Sequence, residues 1–199
     1  MILGVLQART SSSRLPGKVL KKIIGKPMIL HQIERIFKSK KIDKLIIATS
    51  INKDDDPLEL LAKEIDIDCY RGNLDNVLDR FYKAAISYHP THIVRLTGDC
   101  PLTDPEVIDQ TISFYLKGNF DYVSNSLEAT FPDGLDIEIF SFRSLKEAYE
   151  EAKLPSQLEH VTPFINRQTE RFKVGIYKHS SNLSHLRWTV DEPEDFQFV

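Results

Sequence analysis

Cysteine is scarce: of 199 residues only Cys69 and Cys100 carry a thiol. Two are too few for a disulfide framework, and their spacing is not that of a zinc site. Long apolar runs are missing as well, none approaching the roughly 18–20 residues of a membrane-spanning helix. The opening Met-Ile-Leu-Gly-Val-Leu-Gln has neither a basic leader nor a small-residue cleavage site, so it does not read as a signal peptide. There is no basic excess: 26 Lys and Arg stand against 29 Asp and Glu, a net charge of −3. That balance argues against a general nucleic-acid binder. Internal repeats, low-complexity tracts and Gly/Ser linkers are absent, so residues 1–199 are expected to form one domain. Apolar residues at 41% and charged residues at 28% are globular values. The expectation is a soluble, reduced, cytoplasmic protein with no membrane or nucleic-acid partner. The chain stops inside what reads as a new helix, so a C-terminal continuation is also expected.

Local charge is more informative than the total. Residues 1–33 include Arg9, Arg14, Lys18, Lys21, Lys22 and Lys26 but no acid, the first being Glu34. Such a block is either a solvated basic face or the binding surface of an anion. Its setting bears on the choice. The apolar run at 2–7 reads as a buried strand, and 8–18 as a loop rich in Ser, Gly and cations. A helix follows, with Pro27 in its first turn and Met28, Ile29, Ile33, Ile36 and Phe37 as its apolar stripe. Strands are expected at 44–49, 69–71, 92–96, 122–124, 136–140, 172–177 and 186–190. Helices are expected after the caps Asp54–Asp56, from 77 to 87, and from Asp104-Pro105-Glu106 to about 117. Ser144-x-x-Glu147 and Ser156-x-x-Glu159 carry capping-box spacing, and residues 191–195 open a last helix. Repeated strand–helix alternation predicts an α/β protein with a mostly parallel, mixed sheet flanked by helices.

In such sheets ligands bind beyond the carboxyl ends of the strands. That rule selects 8–18, 72–79, 98–104 and 191–195. A Gly/Ser-rich turn can cradle phosphate oxygens on its backbone N–H groups, with Arg as a bidentate partner and Lys as a point charge. Gly17-Lys18 is followed by Val19, so the loop is not a Walker P-loop. The candidate nucleotide contacts are Gln7, Ala8, Arg9, Arg14 and Lys18, with Asp75 from the second loop and Gly98 from the third. Asp99 and Asp191 each follow a strand, where a carboxylate can hold Mg²⁺ beside substrate phosphates. Each also has a plain reading, Asp191 as a helix cap and Asp99 as a turn residue. Asp75 is either an N-cap or a ribose or base contact. Asp136 and Glu138 alternate onto one strand face, which suits sugar hydroxyls or simply solvent. Glu159 and His160 are either substrate contacts or structural.

Together these segments resemble a known family. Gln7-Ala-Arg9 through Ser13-Arg14-Leu-Pro-Gly-Lys18 is similar to the signature loop of the cytidylyltransferases that activate acidic sugars, the acylneuraminate and 3-deoxy-manno-octulosonate types. The nearer match is the branch named for the spore coat polysaccharide biosynthesis protein F. Asp75-Asn-Val-Leu-Asp-Arg80, Arg95-Leu-Thr-Gly-Asp-Cys-Pro101, Pro132-Asp-Gly-Leu-Asp-Ile-Glu138, Glu159-His-Val-Thr-Pro163 and Thr189-Val-Asp191 follow in the family's order. The resemblance implies a Rossmann-like nucleotide-diphospho-sugar transferase fold and a nucleotidyltransferase. It places the triphosphate on Arg9, Arg14 and Lys18, and Mg²⁺ on Asp99 and Asp191. Arg14 and Lys18 are the catalytic cations, neutralising the departing pyrophosphate. The expected substrates are CTP and a sugar or sugar acid for polysaccharide biosynthesis, with Asp136, Glu138, Glu159 and His160 facing the sugar. Related enzymes suggest a homodimer. Two rival readings share much of this chemistry: a glycosyltransferase using a nucleotide-sugar, and a non-catalytic nucleotide-binding domain.

Overall fold

The computed structural model describes all residues from Met1 to Val199. Strand β1 (Ile2–Gln7) is central, pairing in parallel with β4 (Lys44–Ser50) on one side and β6 (His92–Thr97) on the other. Its near-continuous apolar sequence follows from burial on both faces. The alternation of the pleat sends Leu3, Val5, Ile46 and Ile93 to one core, and Leu6, Ile47, Val94 and Leu96 to the other. Beyond β4 lies β5 (Asp68–Gly72), also parallel. Beyond β6 come β8 (Glu138–Ser141), β7 (Tyr122–Ser124) and β9 (Val174–Ile176), in the order β5-β4-β1-β6-β8-β7-β9. Only β8 runs against its neighbours.

Helices α1 (Met28–Ile36), α2 (Asp56–Glu64) and α4 (Pro105–Gly118) cover one face through Met28, Ile33, Leu58 and Ile112. Helices α3 (Val77–Ile86), α5 (Phe142–Glu151) and α7 (Pro163–Asn166) cover the other through Phe81, Ala85, Leu145 and Phe164. The short helices α6 (Pro155–His160) and α8 (Pro193–Phe198) complete the chain. No helix is long and apolar enough to cross a membrane. From β1 the chain winds out to β4 and β5, then returns to place β6 on the opposite side of β1. The crevice between the ends of β1 and β6 is therefore the switch point where ligands of such sheets bind.

Several local expectations change. Pro27 does not sit inside α1 but closes a small hairpin, β2 (Lys22–Ile23) with β3 (Lys26–Pro27). Ile24 and Gly25 turn it at φ 48° and 78°, the paired positive values of a tight hairpin turn. Phe37 lies just past α1 and is exposed, so the buried stripe ends at Ile36. Helix α5 begins earlier than the Ser144 spacing implied, because Ser141 Oγ accepts the Ser144 N–H as its cap. Helix α6 ends, rather than begins, at Glu159-His160.

The 186–190 strand does not form. Arg187 makes one bridge to Asp133, and the Trp188 and Thr189 N–H groups donate to the Asp133 carbonyl at 2.6 and 3.0 Å. The segment docks on a turn that Gly134 makes at φ 105°, where a Cβ would stand 2.4 Å from Thr189 N. Only glycine permits both the angle and the approach.

Candidate active site

The loop after β1 is tied down from behind. Gly98 N–H donates to the Gln7 carbonyl at 2.8 Å, and a Cβ on Gly98 would lie 2.9 Å from that of Ala8. Gly98 thus lets the loops after β1 and β6 touch. Of the three aspartates expected to cap α2, Asp55 does something else. Its buried carboxylate accepts Thr10 N–H at 2.7 Å, Thr10 Oγ at 2.8 Å, and Ser50 Oγ and N–H at 2.5 and 3.2 Å. Burial alone would raise this carboxyl's pKa, but the hydroxyl and amide donors outweigh it and hold it below its ordinary value. Asp55→Ala leaves the Thr10 and Ser50 amides without partners, at roughly 1–3 kcal/mol for each buried group. The expected result is a melting temperature lower by several degrees at pH 7. The deficit narrows as acid protonates Asp55 in the parent, because a lowered carboxyl stabilises above its ordinary range and loses that contribution as pH falls. Thermal scans between pH 3 and 7 check it.

With the loop anchored, Lys18 points inward. Its Nζ donates to the Val190 carbonyl at 2.7 Å and Asp191 Oδ1 at 3.0 Å, and lies 3.4 Å from Asp99 Oδ2. Although 92 residues separate the two aspartates in the chain, one ammonium engages both. The Val190 N–H to Asp99 carbonyl bond of 2.8 Å brings their segments together. Arg14 adds a contact of 2.8 Å to Asp191 Oδ1, and Arg187 one of 2.9 Å to Oδ2. Burial pushes the Asp191 carboxyl up, but Lys18, Arg187 and Arg14 together hold it below its ordinary range. Asp191 does not cap α8: Asp195 Oδ2 accepts the Asp191 and Glu192 N–H groups instead. A cleft of about 230 Å³ opens here, bordered by Arg9, Ser12, Ser13, Arg14, Lys18, Asp99 and Asp191.

A larger cleft of about 540 Å³ adjoins it and shares Gln7 and Arg9. It brings together Asp75, Glu159 and His160, and adds Asn73, Arg80 and Arg95. Asp75 is not an N-cap, since Asn76 caps α3 and Asn73 Oδ1 accepts the Asp75 N–H. Arg80 is fully buried, with only the Asn73 carbonyl within 2.8 Å and its Nε and Nη2 unpartnered. Burial and the neighbouring Arg9 lower its pKa to about 10. Sequence reasoning gave Arg80 and Arg95 no role. The signals were legible: Arg80 falls on the apolar stripe of α3 with Val77, Phe81 and Ala84, and Arg95 interrupts an otherwise apolar strand.

A third recess of about 170 Å³ lies between Arg95, Thr97, Ser126, Asp136 and Glu138. Glu138 borders it, but its oxygens are taken by Arg95, by Tyr122 OH at 2.5 Å and by Thr162 Oγ at 2.7 Å. Burial raises its pKa, and Arg95 with these hydroxyls more than reverses the rise. Glu138 is thereby an internal partner of Arg95.

A cationic loop and paired aspartates lie at the switch point of a mostly parallel sheet, and comparison with known proteins defines the class as a nucleotidyltransferase. The family model for cytidylyltransferases matches residues 3–198. A cytidylyltransferase from Leptospira borgpetersenii superposes with a TM-score of 0.93 at 33% identity, covering 98% of this chain and 83% of its own. The chain is 33% identical to the spore coat polysaccharide biosynthesis protein SpsF of Bacillus subtilis over 205 residues, all of this chain and 84% of that one. It is 41% identical over 198 residues to an uncharacterized protein of Methanocaldococcus jannaschii, 98% of this chain and 80% of that protein. The chain belongs to the cytidylyltransferase family, which sets aside the glycosyltransferase and non-catalytic readings.

Proposed function

We propose that the chain transfers the cytidylyl group of CTP to a hydroxyl of a sugar acid, releasing pyrophosphate. The observation that carries this reading is the convergence of Lys18, Arg14, Asp99 and Asp191 on one cleft at the strand ends. Family membership supports CTP as the donor. Arg80, which lines the larger cleft with two guanidinium nitrogens unpartnered, supports an acidic acceptor.

Arg9 and the Ser12–Arg14 turn face the first cleft, where they would bind the triphosphate through charge-assisted hydrogen bonds. Gln7 lines both clefts, Ala8 and Gly98 line the first, and Asp75 lines the larger one, where it would meet the ribose or base. Glu159 and His160 border the larger cleft at the end of α6, where they would contact the sugar. Lys18 and Arg14 stabilise charge as it moves onto the leaving pyrophosphate. Such transfers need positioning and charge rather than a covalent nucleophile.

The carboxylates suit magnesium. Asp99 and Asp191 already share one cation, the Lys18 ammonium, and Mg²⁺ sites of this type use one or two carboxylates plus substrate phosphates. Bound there, magnesium would withdraw charge from the phosphates and orient them.

The test is a thermal-shift panel of CTP, UTP, GTP and ATP against nucleotide-sugars, with and without Mg²⁺. Pyrophosphate release is then followed with 3-deoxy-manno-octulosonate and N-acetylneuraminate as acceptor probes. Ligand at about 100 times its Kd contributes about 2.7 kcal/mol, roughly 5–10 °C for a domain of this size. A Mg²⁺-dependent shift with CTP and release of pyrophosphate are expected. Response to nucleotide-sugars with none to any triphosphate would overturn the proposal.

A further inference from the structure

We infer that Asp136 is a catalytic residue, the carboxylate that takes the proton from the attacking acceptor hydroxyl. The inference rests on the nucleotidyl-transfer reading above and assigns a step that reading leaves open. When a hydroxyl oxygen bonds to the α-phosphorus, its proton must leave. The Pα–O bond to the β-phosphate breaks at the same time, and its electron pair departs on pyrophosphate. The proton passes to a carboxylate oxygen of Asp136, and from there to solvent.

Occupancy of the other groups narrows the choice. Asp99 and Asp191 are engaged by Lys18, and Asp191 by Arg14 and Arg187 as well. Glu138 is closed in by Arg95, Tyr122 and Thr162. Asp75, Glu159 and His160 are exposed on the larger cleft. Asp136 is half-buried, and its carboxylate makes neither a hydrogen bond nor an ion pair within the protein.

Its backbone, in contrast, is held firmly. The buried Asn125 amide donates from Nδ2 to the Leu135 carbonyl at 2.7 Å and accepts the Ile137 N–H at Oδ1 at 2.8 Å. One side chain thus clamps the main chain on both sides of Asp136. The Gly134 turn fixes the approach from the other direction. A rigidly mounted carboxylate with no partner in the protein is free to accept a hydrogen bond or a proton from a ligand in the recess. The recess it enters includes Thr97, which also borders the cleft of Asp99 and Lys18, and Arg95, which also borders the larger cleft. Asp136 therefore lines a recess that shares one wall residue with each of the two clefts. Burial, with Asp133, Glu138 and Asp99 adding to it and Arg95 opposing, raises its pKa to about 7, the range in which a base works best near neutrality.

The experiment compares the parent with Asp136→Asn and Asp136→Glu. Pyrophosphate release is measured from pH 5.5 to 9 with Mg²⁺, CTP and the two sugar-acid probes, alongside the CTP thermal shift. In Asp136→Asn, kcat should fall on the order of 10²–10⁴-fold while the CTP shift and KM for CTP stay at parental values. The parent's rise in kcat between pH 6 and 8 should disappear, and Asp136→Glu should recover part of the rate. Parental kcat in Asp136→Asn would overturn the assignment and leave the transferase reading standing. Loss of the CTP shift together with rate would also overturn it, as a structural role. A parent that neither shifts with CTP nor releases pyrophosphate refutes both.

Discussion

Replacing Lys18 with alanine is expected to lower kcat on the order of 10²–10³-fold, the cost of removing one preorganised donor from developing negative charge. No neighbour can substitute. The Lys18 side chain is buried, and its ammonium satisfies the Val190 carbonyl, Asp191 and Asp99 at once. Arg14 reaches Asp191 from outside, with a side chain more than half exposed, so water screens its charge. Lys18→Arg should not rescue, because a planar fork cannot occupy a site shaped for a point charge. The variant also has a stability signature. Lys18 lowers the Asp191 carboxyl, and a lowered carboxyl stabilises the fold above its ordinary range and ceases to as acid protonates it. The melting difference between Lys18→Ala and parent should therefore be widest near pH 7 and shrink toward pH 3. Rate assays with CTP and thermal scans across that range check both parts. A variant within a few-fold of parental kcat would remove Lys18 from the catalytic set.

The architecture was legible in the sequence because β1 and β4 are buried on both faces and therefore read as apolar runs, as does β6 apart from Arg95. Helix α4 was equally plain, its Asp104 side chain accepting the Glu106 N–H as the Asp-Pro-Glu start implied. What stayed hidden was set by contacts distant in sequence. Residues 186–190 look like a strand, yet they pair with the Asp133 turn and the Asp99 loop rather than with a sheet neighbour. Asp55 sits among aspartates that read as helix caps, and only the folded chain shows it holding a loop 45 residues away. The site was legible in part for a related reason. Strand-end position singled out Arg14, Lys18, Asp99 and Asp191, whereas the alternation that paired Asp136 with Glu138 could not separate the free carboxylate from the enclosed one. That difference depends on Arg95, Tyr122 and Thr162, contributed by three other segments.

Asp99→Asn is the second large effect, and its sign differs between two measurements. The Asp99 main chain is secured independently of its side chain, its carbonyl accepting Val190 N–H at 2.8 Å and Thr189 Oγ at 3.2 Å. The substitution keeps the side-chain shape and removes one negative charge from the cleft. A triphosphate entering without metal is repelled less by an amide than by a carboxylate, so metal-free CTP affinity should hold or rise. Turnover should move the other way. Hard cations bind carboxylate oxygens far better than amide oxygens, so the Mg²⁺ concentration giving half-maximal rate should increase. The rate at low millimolar Mg²⁺ should fall on the order of 10²–10³-fold, comparable with the loss of a transition-state donor. Chelating the metal from the parent should reproduce that fall, whereas in Asp99→Asn it should change little. Calorimetric titration of CTP without metal and magnesium titration of pyrophosphate release separate the two effects. An Asp99→Asn protein whose rate and magnesium dependence match the parent would show that the strand-end carboxylate holds Lys18 in place and does not take the metal.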